Sequence, residues 1–429
     1  MTERRGAALS AAALALLVGL AAGPSRAAEL PLSDAQIVAA YEYLLARALV
    51  ARRQHDELET GLAWNRLVHS PTPTAREPGV LISDAWLGLD ETSCTILTLP
   101  PAGDRYLNAQ IIDDWGETLR NINPRTEPYH PSGDYALCLK GARPPLPRGA
   151  QRIELPARRA RLRVTLDSGT DLDAARALQQ QVGLAPSGNP APPESVCLPP
   201  FSYAALPGLE IFDAAESLLR DAPDRRPGSE KPQAAVHAVA AAVTNPVQRA
   251  RIDTVIQRQA IPRVQAERLR VGTQENGWMR WLPRRGDASS PLTRSVLVLD
   301  YPWANQASEL VELTTDVDPN ATPGAQAITF PAGAWPRSRA HGPWSLQLVD
   351  AVSGEPLDTP PRLIGPASKL QPNPNGALTL VFAAQQPEGA PAENWVPTPD
   401  RPYRLVLRFY APGPLLEAGD WFPPNLHAY

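Results

Sequence analysis

The spacing of apolar and polar positions changes period more than once along this chain. After Ser33-Asp34, the residues Ile37, Tyr41, Leu44, Leu45, Ala48 and Leu49 recur at helical spacing. Asp34 stands where a cap accepts backbone N–H groups, so the pattern predicts a helix over about 35–58. Prolines 71, 73 and 78 cannot continue it. From Gly79 to about Leu184 the period drops to two, in runs at 80–87, 95–99, 106–115, 135–139, 152–155 and 161–166. Gly and Pro separate these runs, which predicts a sandwich or jelly roll rather than a parallel sheet. Asp171-Leu172-Asp173 opens a short helix over 174–182 that closes the unit.

Residues 185–200 are Pro-rich and read as a linker. Helical patterns follow at 208–220, 233–243 and 245–269, with Ala and Val on one face and Arg and Gln on the other, a face expected to lie on a sheet. A second set of strands is predicted at 295–300, 327–330, 344–350, 377–382 and 403–410. In the last of these Tyr403, Leu405, Leu407 and Phe409 alternate with Arg404, Val406 and Arg408. Asn373-Pro374-Asn375-Gly376 signals a turn just ahead of a strand. The expected fold is mainly β with a helical insert: two jelly-roll or β-sandwich-like domains flanking a helical segment. The chain divides into 28–78, 79–184, 185–294 and 295–429.

Residues 1–27 change the picture of where the protein works. Arg4-Arg5, the apolar run 7–22 and Ser25-Arg26-Ala27 have the order of a cleavable export signal. The run is short for a membrane span and no second one follows. The expectation is a periplasmic or secreted protein with no transmembrane span once processed. Loss of that segment removes one acid and three bases and takes the net charge from −4 to −6. A mildly acidic chain without a basic run is a poor nucleic-acid binder. Of the three cysteines, 94, 138 and 197, one pair could bridge in an oxidising compartment. Cys94 and Cys138 fall in or beside predicted strands, so they could equally be small buried side chains.

The chemistry concentrates in 95–126. If 106–115 is one strand, Leu107, Ala109, Ile111, Asp113 and Trp115 share a face. A carboxylate in an apolar row either rises in pKa or takes a cation, and Arg125 is the nearest candidate by chain order. Asp113 and Arg125 would then flank a pocket for a polar ligand, with Trp115 or Trp86 stacking on it, or form a buried ion pair that pins the loop. Asp84 could join Asp113 as a second carboxylate for glycoside chemistry. Tryptophans 64, 86, 115, 344 and 395 suit a sugar face, although tryptophan in a sandwich is more often core. No G-x-S-x-G elbow, H-E-x-x-H helix or phosphate-cradling glycine loop is present, and the six histidines show no ligand spacing. No catalytic set, metal site or cofactor is implied.

Several segments, in order, resemble a tandem pair of bacterial domains of unknown function known as DUF1254 and DUF1214. For the first they are DAWLGLD (84–90), GDRYLNAQIIDDW (103–115), the Arg125-Thr126 pair, GDYALCLKG (133–141) and DLDAARALQQQVGL (171–184). For the second they are Asp300-Tyr301, FPAGAWP (330–336), GPWSLQLVD (342–350), NPNGALTL (373–380), ENWVPTP (393–399) and YRLVLRFYAP (403–412). The chain departs from the family pattern before Asp84, at Asn123-Pro124-Arg125 and after Tyr301, where Pro302-Trp303 follows. The resemblance implies an exported or envelope protein with a double jelly-roll-like fold that often assembles as a homotrimer. It adds Asp300 and Tyr301 to the candidate ligand-binding residues Asp84, Trp86, Asp113, Trp115 and Arg125. The expected function is an oligomeric β scaffold binding a small molecule, a glycan or an envelope component. The alternative is a carbohydrate- or ester-active hydrolase or lyase using Asp113 and Arg125.

Overall fold

A computed structural model describes residues 32–196, 198–282, 290–357 and 363–429. The expected export signal at 1–27 and Cys197 lie outside those residues. The helix Asp34–Glu59 begins at a reciprocal cap: Gln36 N donates to Ser33 Oγ at 3.3 Å, and Ser33 N donates to Gln36 Oε1 at 2.9 Å. From Ala40 to Ala51 its side chains are buried on every side. A helix without a wet face must be wrapped by other elements. Glu230–Ala242, Pro246–Val255, the π turn Ile256–Ala260 and Pro291–Asp300 wrap it and share its apolar core. The helical region was expected to lie against a sheet. It surrounds the long helix instead, because that helix itself occupies the sheet face at Trp86, Ile112 and Trp115.

Two charged side chains of the long helix fasten it to that sheet. Buried Arg47 lies 3.4 Å from Asp114 Oδ1, which also accepts from Arg159 Nε at 3.1 Å. One turn from the helix end, Glu57 accepts from Trp86 Nε1, Trp303 Nε1 and Arg161 Nε, each at 2.9 Å. Burying Arg47 unpaired would cost several kcal/mol, roughly, and half-buried Glu57 collects three donors, so these contacts fix how helix and sheet sit.

The first sandwich pairs two open sheets. In one, Val80–Gly88, Arg159–Asp167 and Leu107–Ile112 lie side by side with Val68–His69 and Thr118–Ile122 at the edges. In the other, Cys94–Leu99 and Gly133–Leu139 are flanked by Gly183–Pro186 and Gln151–Leu155. Leucines 81, 107 and 162 from one sheet meet Leu97, Tyr135 and Leu137 from the other in a common core. Cys94 and Cys138 stand directly opposite in the antiparallel ladder, Cα atoms 4.5 Å apart, and are joined by a disulfide.

The second sandwich packs a sheet containing Leu310–Val317, Tyr403–Tyr410 and Trp344–Asp350 on one containing Gln326–Phe330 and Leu378–Ala383. The Asn373–Gly376 turn forms, with Gly376 at φ 79°. The segment 295–300, expected as a strand, is instead the last part of the helix Pro291–Asp300. Its apolar, β-branched run reads as a strand by propensity, but Ser290 Oγ caps Thr293 N at 3.0 Å and Pro291 takes the first helical position. The two sandwiches touch at Tyr106 and Tyr410, whose ring centroids are 5.4 Å apart.

The disulfide clamps the centre of one sheet across 44 residues of chain. Replacing Cys94 and Cys138 together by Ser should lower unfolding free energy by about 2–4 kcal/mol. Urea unfolding midpoints with and without reductant check this; reductant should shift the wild type and leave the double variant unmoved.

Candidate functional site

The turn after the strand Leu107–Ile112 decides where the expected site residues go. The ladder shifts register between Ile111 and Ile112, and the chain turns at Asp113. Asp113 Oδ1 accepts from Trp115 N and Glu117 N, both at 2.9 Å, and Asp113 N donates to Glu117 O. Gly116, at φ 79°, closes the turn. A Cβ there would stand 2.8 Å from Val298 Cγ2, so glycine also lets the Pro291–Asp300 helix approach. The expected strand through Trp115 therefore ends at Ile112, and alternation no longer places Asp113.

The expected pair of Asp113 and Arg125 does not form. Arg125 is ion-paired with Glu309, ahead of the second sandwich, and its guanidinium lies 5.3 Å from the Tyr106 ring centroid. Asp113 is buried, and desolvation pushes its pKa up to about 7, against the two backbone N–H bonds that lower it. Asp84 accepts from Arg161 Nη1 at 2.9 Å and Arg163 Nε at 3.2 Å. Burial would raise its pKa, but these two guanidinium groups hold it below the usual carboxylate value. Asp84 is thus committed to arginines of the neighbouring strand.

Trp86 and Trp115 are wholly buried and cannot stack on a ligand. Trp86 packs edge-on between Trp64 and Trp303. Trp115 donates Nε1 to Ala222 O at 3.3 Å and lies under Arg294, 4.3 Å from the guanidinium carbon. Asp300 is held by Arg268 through two bonds of 2.8 and 2.7 Å. Tyr301 stacks on Trp281, and its buried hydroxyl makes no hydrogen bond of good geometry. Desolvation, with the Glu312 carboxylate nearby, keeps that hydroxyl protonated.

Tyr301 alone of the seven expected residues lines a cavity of about 470 Å³ at the junction of the three layers. Its walls are the turn 116–118, the helix face carrying Arg294, Leu297 and Val298, and a strap at 304–308 that leads into the second sandwich. Gln110 ties the strap down, donating Nε2 to Thr118 Oγ1 at 2.8 Å and to Ala304 O at 3.1 Å. Beside it runs a chain of buried amides. Asn123 donates to Glu309 Oε1 (3.0 Å) and Asn108 Oδ1 (2.7 Å), Asn108 to Asn121 Oδ1 (2.8 Å), and Asn121 to Gln306 Oε1 (3.3 Å).

The sequence reading missed Glu117, Arg294, Gln306 and Glu309. One signal was available, the polar face Tyr106, Asn108 and Gln110 on an otherwise apolar strand. That face is buried and meets the strap.

An acid whose pKa is higher folded than unfolded binds its proton more tightly in the native state, so stability falls as pH rises between the two values. For Asp113 that window runs from about 4 to about 7. Asp113→Asn keeps an oxygen for the two N–H groups and should be more stable than wild type at pH 8, with the advantage vanishing near pH 4. Unfolding curves of both proteins across that range check it.

Family models match two stretches of the chain: protein of unknown function DUF1254 over residues 63–186 and protein of unknown function DUF1214 over 310–414. No curated protein matches the sequence. Among solved structures, the VPA0106 protein from Vibrio parahaemolyticus is 14% identical, with a TM-score of 0.67 over 92% of this chain and 99% of that one. It shares the β-rich fold. An uncharacterized protein from Burkholderia cenocepacia is 14% identical with a TM-score of 0.43, over 90% of this chain and 88% of that one. With both matches in the order in which the two sandwiches follow one another, the chain belongs to the DUF1254/DUF1214 domain-containing family, whose function is unknown.

Proposed function

We propose that this chain is an exported, oligomeric scaffold of two jelly-roll-like units that holds a small organic ligand without transforming it. The observation that carries the reading is the cavity of about 470 Å³ where both sandwiches and the helical layer meet. Its volume falls in the ordinary range for small-molecule sites, and junctions between structural layers are where such sites concentrate. The Cys94–Cys138 disulfide supports export, because such bonds persist in oxidising compartments. The signal-like order of residues 1–27 supports it independently. A trimer accords with the double jelly-roll resemblance, and light scattering on the purified protein tests it. The hydrolase alternative drew on a convergence of Asp113 and Arg125, and each of those residues has another partner.

Ala304 lines the cavity and its methyl group takes no part in the hydrogen bonds of the strap. Native mass spectrometry of the protein purified from an exporting host should show a retained small organic molecule in wild type. Ala304→Phe, which fills the cavity, should lose it while keeping the wild-type circular dichroism spectrum. Retention in both proteins, or in neither, would remove the cavity as the binding site.

A further inference from the structure

A second concave site lies on one side of the first sandwich and shares no lining residue with the cavity. It is a groove of about 270 Å³ between the outermost strands of the two sheets, Thr118–Ile122 and Gln151–Leu155, completed by Arg225 of the helical region. Ile153 and Leu155 belong to the sandwich core, so the side chains that reach outward from that strand are Arg152 and Glu154. Three arginines, Arg120, Arg152 and Arg225, line the groove against a single acid, Glu154. They come from three distant segments, and for that reason no basic run marks the site in the sequence.

The partners of each arginine decide whether its charge is spent. Arg120 is ion-paired with Glu127, whose other oxygen accepts from Gln151 Nε2 at 3.0 Å, so this pair ties one outer strand to the other. Glu154 is taken by Arg143 at 2.5 Å. Arg152 donates Nη1 to Ala142 O at 2.9 Å and Nη2 to Pro144 O at 3.2 Å. Carbonyl oxygens fix a guanidinium group without cancelling its charge. Arg225 is exposed and has no partner among the described residues. With the two pairs set aside, the charges of Arg152 and Arg225 are both unanswered. Like charges on one groove repel, and Arg152 is pinned by two backbone carbonyls and cannot swing away. The chain as a whole is acidic, so this positive sign is local to the groove.

Two unanswered guanidinium groups call for a ligand with close to two negative charges. A phosphate monoester carries that charge at neutral pH and offers three acceptor oxygens, which arginine forks bind in pairs. A carboxylate brings only one charge. The volume lies just below the usual range for small-molecule sites, which suits a phosphate with a small body attached. We infer that this groove binds a phosphate monoester borne on a sugar- or glycerol-sized unit, either in solution or as a lipid headgroup. Arg152 and Arg225 supply the charge, and Arg120 stands beside them as a held donor.

Calorimetric titration of the full chain with glucose 6-phosphate, glucuronate and glucose tests the class. Flotation with phosphatidylcholine vesicles, with and without phosphatidic acid, tests the source. Wild type should bind the phosphate monoester of at least one arm. In solution it should prefer glucose 6-phosphate to glucuronate by roughly tenfold or more and leave glucose unbound. That affinity should rise as pH passes about 6, where the phosphate loses its second proton. Arg225→Glu disturbs no bond among the described residues and should abolish binding while the circular dichroism spectrum is unchanged. Ala304→Phe should bind as wild type does, which separates this groove from the cavity. Flotation of wild type but not of Arg225→Glu with phosphatidic acid supports a lipid source, and binding of glucose 6-phosphate supports a soluble one. Glucuronate bound as tightly as glucose 6-phosphate, unchanged affinity in Arg225→Glu, or no binding in either arm would overturn the inference.

Discussion

A helix with no wet side is the constraint from which the rest of this architecture follows. Fifteen positions of Asp34–Glu59 are buried, and they face every direction around the helix axis. Such a helix is stable only if something covers each side, and here one side is a β-sheet and the others are helices. The charges it carries inward, Arg47 and Glu57, are then obliged to find partners on the covering elements. Asp114 and Arg159 answer the first, and Trp86, Trp303 and Arg161 answer the second. Glu57 contacts the first sheet and the segment after the Pro291–Asp300 helix at once, so a single carboxylate sets the spacing of two layers.

The same logic explains the contrast between two adjacent aspartates. Asp114 takes both arginines, while Asp113 has only backbone N–H donors. Two N–H bonds to one oxygen do not offset the loss of water around a buried carboxylate, and the pKa rises. Asp113 is retained in that setting as the hinge of a turn, holding Trp115 and Glu117 in place at the edge of the cavity. Its perturbation is a consequence of turn architecture, which cautions against reading every raised carboxylate as a catalytic one.

Much of the framework was legible from spacing. The long helix, ten of the strands and the 373–376 turn follow from period and turn chemistry, which are local properties. The errors lie where a local rule was overridden. Residues 295–300 have strand-like composition but follow a helix cap, and the cap prevails. Alternation through 106–115 assumed an unbroken strand, and one register shift at Ile111–Ile112 was enough to misplace Asp113 and Asp114. The partners of Arg125 and Asp84 were beyond reach for a different reason. Glu309 lies 184 residues from Arg125, and Arg161 lies 77 from Asp84, so only the assembled fold brings them together. An unpaired charge can be suspected from sequence, but its partner cannot be named.

Beside the apolar contact of Tyr106 with Tyr410, the seam between the sandwiches carries a relay of amides, and this bears on why a cavity persists there. An apolar seam could slide or collapse to fill space, since dispersion contacts have no direction. A relay of asparagines anchored on Glu309 has a fixed length and a fixed polarity, and a shifted member would leave buried N–H or C=O groups unmatched. Gln110 adds two further bonds that hold the 304–308 strap at a set height above the sheet. The strap therefore cannot settle onto the Leu297–Val298 face without breaking several buried hydrogen bonds, each worth on the order of 1 kcal/mol and more if left unsatisfied. The void is held open by polar bonds running behind it.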